Sequence, residues 1–252
     1  MGLVSRSGTI PVSVTHDTIG PMTRTVREAA RHAVGDYTQF LVPDGLRGAR
    51  IGVARNFFGT SVVADRVWTF DAEALSYELK ASLNDYFASL DPSAPIKSLK
   101  DLIEYDRRNS DRELAWFGQE TLEYAETKGP LTRPEYLRAL ALVRQLARAQ
   151  GIDAMIQAHT LDAIVAPSES PAWLIDVLLG DNTVQGSYVV AADAGYPSIT
   201  VPAGDVEGLP VGVLFMGPAW SEGTLLKLAF SFEQRVRARR APTFQPSIQV
   251  RP

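Results

Sequence analysis

The strongest constraint on the fold of this 252-residue chain is a change of hydrophobic period at Gly151. Between Ala64 and Ala147 apolar residues recur every three or four positions, as amphipathic helices require. Beyond Gly151 they gather into short runs bounded by Gly and Pro, as buried strands do. Residues 64–90 predict one long helix with the face Val67, Phe70, Leu75, Leu79, Leu83, Tyr86, Phe87 and Leu90, closed by Asp91-Pro92. Ser98-Leu99-Lys100-Asp101 resembles a capping box. A second helical block is expected over 111–128, stopped by Gly129-Pro130. A third opens at Thr132-Arg133-Pro134-Glu135, where the Thr hydroxyl and Glu carboxylate can satisfy free amides, and Gly151 breaks it. Pro21 falls where a shorter helix carrying Val26, Ala29, Ala30 and Ala33 would begin. Strands are predicted over 161–166, 198–201 and 211–216, with an extended stretch at 50–55 and a last helix over 221–238. Helices alternating with buried strands indicate an α/β architecture. Pro167 and Pro202 directly follow two of these strands; either they only stop them, or they mark strand ends of the kind where α/β sheets bind ligands.

A net charge of −4 gives no general attraction to nucleic acid or anionic membrane. The run Arg235, Arg237, Arg239, Arg240 reads as the cation-rich end of the last helix. No cysteine is present, so disulfides, thiolate nucleophiles and cysteine-based metal sites are excluded. No apolar stretch approaches the roughly 20 residues of a transmembrane helix. Met1 to Arg6 lacks the apolar core of a signal peptide, and a cytoplasmic, soluble protein is the expectation.

Tests for chemistry are mostly negative. The chain has no Gly-x-x-x-x-Gly-Lys phosphate loop and no Gly-x-Ser-x-Gly elbow. His16, His32 and His159 lack ligand spacing, and no metal or cofactor is expected. His16-Asp17 with Ser13 or Ser5 invites a Ser-His-Asp reading. Adjacent residues on extended chain point apart, however, so Asp17 is poorly placed to orient His16, and a local loop role for its carboxylate is the alternative. Lys80, Lys97, Lys100, Lys128 and Lys227 lie on amphipathic helices or polar connectors and read as solvated charges, so none is nominated as a base.

An ordered set of motifs carries a resemblance. Gly2-Leu3-Val4-Ser5-Arg6-Ser7-Gly8 and His16-Asp17-Thr18-Ile19-Gly20-Pro21-Met22-Thr23-Arg24-Thr25-Val26 resemble the stretch that follows the catalytic centre of amidase-signature enzymes. Gly48 to Val53, Ala194-Gly195-Tyr196-Pro197, Val201-Pro202-Ala203-Gly204, Gly208 to Gly212 and Gly217-Pro218 are similar to later landmarks of that family, and nearly the whole chain is covered. The resemblance implies a mixed central β-sheet covered by α-helices and incomplete here. Residues 1–252 would be the C-terminal portion of a single domain, with a helical segment at about 64–151 inserted between sheet-forming parts. It implies hydrolysis of amide C–N bonds by a Ser–cis-Ser–Lys triad, in which a neutral lysine activates the bridging serine and backbone amides hold the oxyanion. In the family the lysine, the Gly/Ser-rich signature and the nucleophile precede the segment matched here. The 252 residues contain no Gly-Ser-Ser-Gly-Gly run and no Gly-Gly-Ser nucleophile loop, so no catalytic residue is assigned within them. The passage from Ala33 to Phe40 is also shorter than the family's connector.

The same resemblance nominates a pocket. Asp17 and Thr18 would lie beside the active centre, although Asp17 could equally staple its own loop. Ser168, Glu169 and Ser170 would face the substrate's leaving group or side chain. Asn182 and Gln185, with Ser187, would contact the acyl part, and Trp173 would either close a hydrophobic wall or be a core residue. The partner expected is a small amide, with an N-terminal amidase half or a second copy of the chain as further partners. Three functional readings follow: an amidase portion with its triad upstream, a non-catalytic binding module, and one half of a split amidase. No cofactor is implied.

Overall fold

Two adjacent strands whose apolar side chains alternate between faces organise the molecule. A computed structural model describes residues 6, 8–31, 35–55, 62–180 and 186–244, with the side chains of 62–68 left out. Strands β1 (Ile51–Val53), β2 (Ala163–Pro167), β3 (Ser198–Val206) and β4 (Leu209–Met216) form one sheet in the order β1-β2-β4-β3. β1 runs parallel to β2, with Ile51 opposite Ala163, while β4 is antiparallel to both β2 and β3. The sheet is therefore mixed, as expected.

Along β2 and β4 the side chains divide with the period of two that a pleated strand imposes. Ala163 and Phe215, with Val201 of β3, face α1 (Val26–Arg31) and α9 (Glu222–Val236), packing on Val26, Leu225, Leu228, Ala229 and Phe230. Ile164, Ala166, Leu214 and Met216 face the opposite way, onto Ala147, Ile152 and the small residues Ala191 and Ala194 of α8 (Tyr188–Ala194). Each fully buried Leu or Phe in these layers contributes about 1.5–3 kcal/mol.

The helical segment builds a further layer. α2 (Val62–Ser89) packs on α6 (Pro134–Ala147) through Ala74, Tyr77, Tyr136, Ala139 and Leu140. It meets α3 (Leu99–Arg108) and α5 (Glu120–Glu126) through Leu83, Leu99, Ile103 and Ala125. At the start of α3 the Ser98 hydroxyl accepts the Asp101 amide at 3.1 Å, as the capping motif predicts. After α6 the helix widens over Arg148–Ile152 and continues as α7 (Asp153–His159), so Gly151 kinks the chain rather than ending it. A Cβ there would stand 2.7 Å from the Leu146 carbonyl oxygen.

Several boundaries differ from the sequence expectation. α1 starts at Val26, not Pro21: the Thr25 hydroxyl accepts the Glu28 amide at 3.1 Å, and the first-turn amide of Val26 donates to Glu233 of α9 at 2.9 Å. The block at 111–128 divides into α4 (Ser110–Glu113) and α5, because the intervening Trp116 and Phe117 are exposed and leave the helical period. α6 has Pro134 in its first turn but takes no side-chain cap from Thr132. Pro167 is the last residue of β2, opposite Val213, and Pro202 lies inside β3. β3 is at the edge of the sheet, where a missing N–H is tolerated, and its register slips between Pro202 and Gly204. No helix among the described residues is long and apolar enough to cross a membrane.

Candidate functional site

A broad trough of about 1420 Å³ runs between the 18–29 loop and α1, the residues after β2, strand β3 and α9. Ser168 and Glu169 form its polar rim. Ser168 extends the β2–β4 pairing, its amide donating to the Gly212 carbonyl at 2.9 Å, and its own carbonyl accepts the Ser187 amide at 3.2 Å. Its hydroxyl is hydrogen-bonded to that of Thr200. Gly212 makes this pair possible, since a Cβ would stand 2.7 Å from Thr200 Oγ1 and 2.8 Å from Ser168 Oγ. Glu169 Oε1 accepts the Ser170 amide at 3.1 Å, and the other oxygen passes over Gly186, where a Cβ would collide with it. The Ser170 hydroxyl oxygen is buried without a hydrogen-bond partner among the described residues.

The remaining nominated residues fall in different places. Thr18 lies on the wall of the trough and of a smaller cavity of about 300 Å³ behind the 9–19 loop. Asp17 Oδ2 accepts the Val12 and Ser13 amides, both at 2.9 Å, so its carboxylate ties the loop together. Trp173 is 38% exposed, followed by exposed Leu174, Ile175, Leu178 and Leu179. Asn182 and Gln185 lie outside the described residues. Among the lysines, Lys80 and Lys128 are not free solvated charges: Lys80 donates to the Glu126 and Lys128 carbonyls at 2.6 and 2.9 Å, while Lys128 pairs with Glu73 at 2.7 Å, its ammonium 3.8 Å from the centre of the Tyr124 ring. Burial would lower its pKa, but the Glu73 and Tyr124 contacts outweigh that and raise it, so it is held charged and does not serve as a neutral base.

Sequence reasoning missed a buried polar cluster between the 12–17 turn and α2. Its anchor is Glu78 of α2, fully enclosed. Glu78 accepts hydrogen bonds from the hydroxyls of Ser13, Thr15 (2.8 and 2.9 Å) and Tyr136 (2.6 Å), and from the Thr15 amide at 3.1 Å. Burial alone would raise the Glu78 carboxyl, yet these donors hold it below its ordinary value. Burial and the bond to Glu78 push the Tyr136 hydroxyl up. The His16 ring faces this network through Nδ1, 2.9 Å from Thr15 Oγ1 and 3.1 Å from Ser13 Oγ. Its Nε2 lies 3.3 Å from Asp71 Oδ1. Asp71, not Asp17, is the carboxylate that faces the ring. The chain Ser13–His16–Asp71 follows the order of a hydrolytic triad, but Ser13 is 1% exposed and gives its hydrogen to Glu78. Asp193, on α8, completes the cluster: one oxygen of each aspartate and one ring nitrogen of His16 lie within 4.8 Å of one another. Burial raises the Asp71 carboxyl against the pull of His16, and burial with the nearby Asp71 charge raises Asp193 to about 8. The signal in the sequence was an Asp in the otherwise apolar Val189-Val190-Ala191-Ala192-Asp193-Ala194 run.

A mixed sheet walled by helices and opening at polar strand ends onto a trough defines an α/β scaffold with a candidate binding site. Residues 46–226 match the family model described as Amidase, and the chain belongs to that family. It is 32% identical to a probable amidase of Arabidopsis thaliana, over 97% of this chain and 53% of that protein. It is 30% identical to a glutamyl-tRNA(Gln) amidotransferase subunit of Desulforudis audaxviator, over 92% of this chain and 57% of that protein. The solved structure of native peptide amidase from Stenotrophomonas maltophilia superposes with a TM-score of 0.84 at 41% identity, covering 96% of this chain and 58% of that one. The chain spans about half the length of the curated relatives it matches.

Proposed function

We propose that this chain is the C-terminal, substrate-facing portion of an amidase that hydrolyses carboxylic amide C–N bonds to a carboxylate and ammonia or an amine. The observation that carries the reading is the likeness to the peptide amidase over nearly all of this chain, joined to the trough at the strand ends. In this reading the two serines and the lysine belong to a segment upstream of residue 1, and residues 64–151 are a helical insertion in a single domain. Thr18, Ser168, Glu169, Ser170 and Trp173 face the substrate, Asn182 and Gln185 approach its acyl part, and Asp17 shapes the loop beside it. The substrate class favoured by the likeness is a peptide-like amide. A cytoplasmic location belongs to the same proposal; a partner chain that supplies the missing residues is the alternative, split-enzyme form of it.

The test is co-expression of this chain with the N-terminal portion of the S. maltophilia peptide amidase, followed by measurement of ammonia release from an N-acylated peptide amide. Turnover above either part alone, reduced at least tenfold by Glu169→Gln, is the expected result; a folded complex without turnover overturns it. One observation favours a second reading, a binding module without catalysis: the 252 residues contain no Gly-Ser-Ser-Gly-Gly run. In that case the chain alone binds peptide amides, and the co-expressed pair adds no hydrolysis.

A further inference from the structure

We propose that His16, Asp71 and Asp193 form a site for a divalent first-row cation that pins the 8–20 loop and α8 onto α2. The inference is independent of the amidase reading. Three separate elements converge there: the loop supplies His16, α2 supplies Asp71 and α8 supplies Asp193. Asp71 is 3% and Asp193 5% exposed, and Asp71 Oδ1 and Asp193 Oδ2 are buried with no hydrogen-bond partner among the described residues. Among residues whose side chains are described, neither aspartate pairs with Lys or Arg. Two buried carboxylates so placed can both be ionised at low cost only when a positive charge lies between them.

The hydrogen-bond network prepares His16 as a ligand. The Thr15 hydroxyl donates to Glu78, so toward His16 Nδ1 it can only accept, which places the ring hydrogen on Nδ1. In the neutral ring Nε2 presents its lone pair toward Asp71, and the 3.3 Å approach is not aligned as a hydrogen bond. The result is three electron-pair donors facing one space, with the outer ring nitrogen fixed by a Glu78-anchored hydroxyl. That is how protein sites orient metal-binding imidazoles. Two carboxylates and a neutral imidazole balance a 2+ ion, and this oxygen-rich set with one nitrogen suits Mn²⁺ or Zn²⁺. Cis ligands of such ions are about 3 Å apart, so the 3.3 Å pair is already at that spacing, and the Asp193 donor lies within 4.8 Å of the other two.

The test uses the full 252-residue chain, stripped with EDTA and titrated with Zn²⁺ by calorimetry, while the ring C–H resonances of its three histidines are followed by NMR. One equivalent is expected to bind, shifting the His16 resonances and raising the unfolding temperature. Asp193→Asn keeps the shape of the side chain but removes the carboxylate ligand, and is expected to fold while abolishing that uptake. Thr15→Val, which touches no ion, is expected to weaken binding about 10- to 100-fold. No saturable uptake at about 1 mM Zn²⁺, uptake unchanged in Asp193→Asn, or binding that leaves the His16 resonances in place would overturn the site. If Asp193→Asn does not fold, the unaltered chain's His16 resonances decide alone.

Discussion

Glu78 shows how one carboxylate can define a loop. Its hydrogen bonds to Ser13 and Thr15 hold the 12–17 turn against α2, and the bond to Tyr136 ties that turn to α6. Replacing Glu78 by Ala leaves several buried donors unpaired and is expected to cost about 3 kcal/mol or more in urea unfolding. The pH dependence has a definite sign. The folded Glu78 pKa lies below its ordinary value of 4.5, so its stabilisation is complete above that value and is lost as pH falls through the depressed folded value. Thermal unfolding of the parent chain should therefore weaken steeply below about pH 4.5. Tyr136→Phe removes one donor to a charged acceptor; about 1.5–3 kcal/mol is expected, with part of the acid sensitivity gone. None of this was legible in the sequence. Ser13, Thr15 and Glu78 are unremarkable polar residues until the fold places residues 65 positions apart in contact.

At the scale of elements, the β3–β4 hairpin carries a testable strain. Val206 pairs with Leu209, leaving the two-residue turn Glu207-Gly208 with φ of +51° and +82°. Both central residues have positive φ, as a type I′ turn demands, and Glu is a poor occupant of its first position. Glu207→Asn should stabilise the chain by about 0.5–1 kcal/mol and Gly208→Val should destabilise it by a comparable or larger amount, both measured by urea unfolding. Long periodic helices and short apolar strands were readable because period and length are local properties. Cap positions were read less well. Pro21 competes with Thr25 as a helix start, and only the Val26 amide's bond to Glu233 shows which one the tertiary structure supports. The division near Trp116 was hidden because isolated apolar residues do not announce whether they face a core.

For the whole molecule, the segment following the polar rim carries a run of exposed apolar side chains. Leu174, Ile175, Leu178 and Leu179 are each at least 71% exposed. Contiguous apolar surface of this kind favours association. Sedimentation of the chain should show concentration-dependent self-association, reduced in the Leu178→Ser, Leu179→Ser double variant without loss of helix content. The sequence motifs reached the family, and Ser168 and Glu169, named from the residues after Pro167, line the trough. They did not reach the cluster around His16, because its ligand spacing exists only in space.

The pairing of β1 with β2 has a kinetic consequence. Ile51 and Ala163 become neighbours only after the entire helical segment between them has been spanned, whereas β3 and β4 are joined by two residues. Closing a long loop costs more chain entropy and slows formation of the contacts that depend on it. The hairpin and the helical layer should therefore assemble early, with the three-residue β1 zipping onto the finished edge last. The reverse order governs opening: the Ala54 amide, bonded to the Val165 carbonyl, should exchange its hydrogen with solvent long before the amides at the centre of β4.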